Sequence, residues 1–96
     1  MISLFCETGS PWVAEAVTAL ESEGHEPVVT YVDPGVDKYD WQSQFNAWIT
    51  SDVIMSWNMV YNAASVSGLI GVASDGSCSC EDFDELVEQL KGIASE

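Results

Sequence analysis

The N-terminal third constrains the fold more than any other part of the chain. Ile2-Ser3-Leu4-Phe5-Cys6 is apolar with one polar break, the pattern of a buried strand. Ser10 can cap a following helix, and Pro11 falls in its first turn, where a missing N–H costs nothing. Val13, Ala16, Val17 and Leu20 recur at i, i+3, i+4 and i+7, one apolar face, and Gly24 ends the helix. Pro27-Val28-Val29-Thr30-Tyr31-Val32 carries the strongest β propensity in the chain. Strand, helix of about 13 residues and strand predict a right-handed βαβ unit with parallel strands.

Further on, Asp33-Pro34-Gly35 is a turn signal, and 37–49 turns helical with Trp41, Phe45, Trp48 and Ile49 on one face. That aromatic face reads as core. Periodicity does not decide among strand, short helix and ordered loop for 53–64. Gly68-Leu69-Ile70-Gly71-Val72-Ala73 reads as a buried strand, and Asp75-Gly76 as a hairpin turn into a short strand at 77–80. Ser79-Cys80-Glu81-Asp82 resembles a helix start with an acidic first turn. Phe83, Leu86, Val87, Leu90 and Ile93 give that helix an apolar stripe. The expectation is one domain, 1–96, of α/β (α+β) class: a four-stranded mixed sheet with about three helices on its faces.

Charge narrows the partners. Sixteen acids oppose Lys38 and Lys91, with no arginine, for a net charge of −14. Phosphate contacts depend on Lys and Arg, so direct binding to nucleic acid or to an anionic membrane is not expected. A basic protein partner is, and an acidic surface of this kind can imitate a polyanion in a protein's nucleic-acid site. Simple solubility, or a salty habitat, is the plainer explanation of the same charge. The charge-free stretch 53–74 carries Ser56, Asn58, Asn62, Ser65, Ser67 and two glycines, too polar for a membrane span. With no basic segment after Met1, no secretory signal is expected, and the reading is cytoplasmic.

The opening Met1 to Val13 is similar to the start of a glutaredoxin, whose strand–helix junction reads Thr-Gly-Cys-Pro-Trp-Cys or close to it. Here the junction is Thr8-Gly9-Ser10-Pro11-Trp12-Val13. Asp75-Gly76-Ser77 followed by Phe83-Asp84-Glu85-Leu86 also resembles the final hairpin and helix of short phage-type members. The resemblance covers both ends of the chain, and 35–67 only in coarse helix content. It implies a thioredoxin-like sheet of order 2-1-3-4, with Leu69 near the place of the family's cis-proline. It also implies a degenerate active site, since Ser10 and Val13 hold the two sulfur positions. A serine hydroxyl at a helix N-terminus is not activated as a thiol would be. Glutathione is not expected as a ligand, because Glu7 stands where the family offers a cation. No cofactor is implied.

Three cysteines, Cys6, Cys78 and Cys80, are too few for a secreted disulfide framework, and with His25 the only histidine no metal site is expected. Asp33, Asp37 and Asp40 around a turn could hold a weak divalent cation but read as turn formers and caps. Cys6 reads as a small core residue. On a strand, Cys78 and Cys80 would share one face about 6.5–7 Å apart, the upper edge for a disulfide. The leading functional expectation is a non-catalytic acidic binding protein, of the kind that suits a phage-encoded modulator of a host enzyme. Its candidate contact residues are Asp82, Asp84, Glu85, Glu88, Trp12 and Trp57. The alternative is a thiol–disulfide oxidoreductase working through Cys78 and Cys80.

Overall fold

The computed structural model describes residues 1–33, 38–52 and 54–95, with the side chains of 38–40, 64 and 65 outside that description. The elements in chain order are β1 (Ile2–Glu7), α1 (Val13–Ser22), β2 (Pro27–Val32), α2 (Lys38–Ile49), β3 (Met59–Val66), β4 (Leu69–Ser74) and α3 (Cys80–Ala94). β1 and β2 are parallel, pairing Ile2 with Pro27 through Glu7 with Val32, as the N-terminal pattern predicts. The whole is an α+β architecture on a four-stranded mixed sheet.

Strand order departs from the expected 2-1-3-4: it is β2-β1-β4-β3. The buried run of the sequence does lie antiparallel beside β1, but its hairpin partner precedes it in the chain and does not follow it. The reason is burial. Every residue of Leu69–Ser74 is buried, so this strand needs a neighbour on each side and a helix on each face. β3 carries the exposed Asn62 and half-exposed Val60, which an edge position tolerates. The hairpin turn is Ser67-Gly68, both at positive φ (47° and 90°), between paired Val66 and Leu69. Two residues with positive φ suit the right-handed twist of a tight hairpin. Asp75-Gly76 leads instead straight into α3, and 77–80 forms no strand. There Asp75 accepts from the Ser77 amide (3.1 Å) and from the N-terminal ammonium (3.1 Å). Hydrogen bonds from Ser77, then the N-terminal ammonium, hold its carboxyl below the usual range.

Two cores sandwich the sheet. On one face Ile2, Leu4 and Cys6 of β1 meet Val13, Ala16 and Leu20 of α1 and the α3 stripe Phe83, Leu86, Val87, Leu90 and Ala94. On the other, Phe5, Ile70 and Ala73 meet Phe45 and Trp48 of α2, with Ile54 closing the end. Burying each large side chain contributes about 1.5–3 kcal/mol. Ser79 caps α3 by accepting the Asp82 amide at 3.2 Å, as its sequence indicates. α1 begins later than expected, at Val13, with Trp12 in the cap position and no side-chain cap. Of the apolar 53–72 stretch, little faces outward: Leu69, Ile70 and Val72 are sealed inside, and Met55 and Val60 are its exposed large side chains among the described residues.

Candidate functional site

The loop Thr8–Trp12 joins β1 to α1, and the β3–β4 turn packs directly on it. The Glu7 amide donates to the Gly68 carbonyl (2.8 Å), and the Trp12 indole Nε1–H donates to the Ser67 carbonyl (2.9 Å). A Cβ on Gly68 would come within 2.5 Å of the Ser10 hydroxyl, and its φ of 90° is one that L side chains rarely adopt, so glycine suits this approach. The structure thus places Ser10 and the residues before Leu69 side by side. Leu69 itself is fully buried beside Cys6, and no peptide bond among the described residues is cis. Val13 is buried in the α1 core, and Ser10 is half-buried against the turn.

Trp12, a candidate contact residue, is 7% exposed and belongs to the first core cluster. Its ring anchors the loop to the hairpin and presents little surface to a partner. Trp57 is half-buried against the second cluster. Asp82, Asp84, Glu85 and Glu88 are all exposed on α3. Sequence reasoning missed the β3–β4 turn in this region, although Ser-Gly is a turn-prone dipeptide that could have marked it.

The acidic surface extends beyond α3. α1 packs beside α3 on the same face of the sheet, and Glu15, Glu21, Glu23 and Glu26 are exposed in or just after it. Glu81 adds to the α3 group. The ion pairs among the described residues are three: the N-terminal ammonium with Asp75, His25 with Glu23 (3.9 Å) and Lys91 with Glu88 (3.4 Å). Lys91 also lies 5.8 Å from the centre of the Tyr61 ring. Most of the carboxylates on this layer therefore have no cation beside them, and their field projects outward.

The cysteines are free thiols. Cys78 lies in the loop before α3, half-buried with its Sγ 3.5 Å from the Ser74 hydroxyl, and Cys80 is exposed as the first residue of α3. The strand geometry expected for the pair is absent. Cys6 is sealed in the sheet, and burial pushes its thiol from an ordinary 9.0 up to about 12. A thiol reagent at neutral pH is accordingly expected to titrate Cys80 quickly, Cys78 more slowly and Cys6 only after unfolding. The raised Cys6 value also sets a sign. The folded state keeps a proton that the unfolded chain releases above about pH 9.0, so stability is unaffected below that and falls as pH rises toward 12. Rapid modification of all three thiols in the folded protein would contradict this placement.

Asp33 is exposed, whereas Asp37 and the Asp40 side chain lie outside the described residues. Among the described residues, no group of three or more His, Cys, Asp or Glu side chains is placed to hold a metal ion. No helix among them is long and apolar enough to cross a membrane. Compared with known proteins, the chain matches no family model, no curated protein and no solved structure.

Proposed function

We propose that this chain is a non-catalytic binding protein whose α1–α3 layer engages a basic protein, in the manner of a polyanion occupying a nucleic-acid site. The observation that carries this reading is the layer of exposed, largely unpaired carboxylates on α1 and α3, with Lys91 its one lysine and already held by Glu88. A surface charged so uniformly repels itself, and a basic partner relieves that repulsion while being steered toward it. Descent from a glutaredoxin-like scaffold is supported by the parallel β1–α1–β2 unit and by the Ser10 loop lying against the turn before β4. The hairpin order departs from that scaffold.

Capture of the partner should weaken steeply with salt, because exposed charges are screened beyond about 8 Å at physiological ionic strength. Neutralising Asp82→Asn, Asp84→Asn, Glu85→Gln and Glu88→Gln together is expected to reduce affinity by about tenfold or more, at ~0.2–1 kcal/mol per exposed pair. Capture that ignores both salt and these four changes would remove α3 from the contact.

The oxidoreductase alternative rests on two free thiols at the N-terminal end of α3, one half-buried and one exposed. Replacing Cys78 and Cys80 with serine separates the two readings. Partner capture should be unchanged on the binding reading, and disulfide turnover that disappears with them would support the alternative.

A further inference from the structure

We infer a second interaction surface, an extended peptide site along the free edge of β2 with its side-chain groove under α2. β2 lies at the end of the sheet and, among the described residues, pairs with β1 alone. The Ile2 amide donates to the Glu26 carbonyl (3.1 Å) and the Thr8 amide to the Val32 carbonyl (2.8 Å), which turns the even-numbered residues of β2 toward β1. By alternation Val29 and Tyr31 direct their N–H and C=O groups to the open edge, where no described residue meets them. An added strand finds there two donors and two acceptors already set at ladder spacing.

The same strand lines the groove. α2 packs over β3 and β4, with Trp48 stacked on Phe5 (centroids 5.0 Å apart), and among the described residues open space is left over the β2 side of that face. A groove of about 520 Å³ results, floored by Phe5, Val28, Thr30 and Val32 and walled by Ala47 and Trp48. Val28 is 39% exposed in it. Alternate side chains of a strand added to β2 would point into this space, which is mostly apolar.

Charge selects the occupant. Exposed Glu26 and Asp33 bracket β2 immediately outside its two ends, ~23 Å apart at the rise of an extended chain. A second copy of this chain would bring another −14 to the same edge. A short segment with a basic residue at each end and apolar residues at alternate positions between them fits both the edge and its ends. The inference is independent of the α3 contact, because no α3 residue takes part.

The test uses the full chain and the probe heptapeptide Arg-Thr-Val-Thr-Leu-Thr-Arg. Amide NMR titration is expected to show saturable binding, with shifts on β2, Phe5 and the groove face of α2. Two versions methylated on alternate amides, one in each phase, should differ: one phase abolishes binding and the other leaves it within about twofold, because only one backbone edge meets β2. Glutamate in place of both arginines should remove saturable binding, and Glu26→Gln with Asp33→Asn should weaken the arginine peptide about fivefold. Ala47→Trp fills the groove from an exposed α2 position and should weaken binding about tenfold with the fold intact. The α3-neutralised protein should bind the peptide as the unmodified chain does. Equal binding by both methylated phases, shifts confined to α1 and α3, or no saturable binding would each overturn the site.

Discussion

Replacing Trp12 with alanine is expected to remove about 3–5 kcal/mol of folding free energy, the range for a large aromatic cut from a core. That is a substantial part of the ~5–15 kcal/mol typical of a domain. Three contributions act together. The indole is buried against the α1–α3 core, its N–H holds the Ser67 carbonyl, and the backbone of Trp12 starts α1 by accepting the Ala16 amide (3.0 Å). Only the first two are lost with the side chain. Trp12→Phe isolates the hydrogen bond: it keeps most of the packing and should cost ~1–2 kcal/mol. Urea unfolding gives the two values, and hydrogen exchange at the Glu7 amide, bonded to Gly68, reports whether the turn loosens. Because Trp12 is 7% exposed and tied to the hairpin, the Phe variant should capture a basic partner as well as the unmodified chain. A Phe variant that is fully stable but fails to bind would return Trp12 to the interaction surface.

Trp12 also shows where the sequence is legible and where it is not. Ile2–Cys6, the Val13–Leu20 stripe and Pro27–Val32 each satisfy a local rule, and the βαβ unit follows because neighbours in sequence become neighbours in space. α3 is legible for the same reason: the Ser79 cap and the stripe from Phe83 need only residues of the helix itself. The hairpin is different. Asp75-Gly76 has the stronger turn chemistry, yet Asp75 spends it on the Ser77 amide two residues on and on the N-terminus, which only the closed sheet brings to it. Ser67-Gly68 is the weaker signal, embedded in an apolar stretch, and the structure selects it because Ser10 and Trp12 pack on it from 55 or more residues away. The same contact explains the late start of α1, since Pro11 and Trp12 form the turn that reaches the hairpin. Exposed carboxylates were readable residue by residue. Their union across α1 and α3 depends on the sheet face those two helices share.

Gly71→Ala should destabilise the protein by about 1–3 kcal/mol, the cost of forcing a methyl into a packed core, and lower Tm by ~4–8 °C for each kcal/mol in a domain of this size. Gly71 sits in the central strand β4 opposite Phe5 and under α2. A Cβ there would stand 2.6 Å from Phe45 Cε2 and 3.0 Å from Trp48 Cζ3. Both rings are already engaged with one another and with Phe5. Trp48 is stacked on Phe5 with planes 4° apart, and Phe45 is wedged against both, at 6.4 and 5.6 Å between centroids. An added methyl must therefore lift α2 from the sheet or break the stack. Phe45→Leu supplies the control, since a smaller side chain leaves space where the methyl would go. Alone it costs a cavity; combined with Gly71→Ala it should recover at least ~1 kcal/mol of the summed loss, a coupling expected only for residues in contact. Urea unfolding of the two single variants and the double variant measures that coupling directly. Lifting α2 would also close or distort the groove beside Trp48, so Gly71→Ala should weaken the arginine-flanked peptide while the Phe45→Leu double variant restores part of its affinity. Additive losses in the cycle would mean that α2 does not rest on β4 as described, and the groove would then lose its wall.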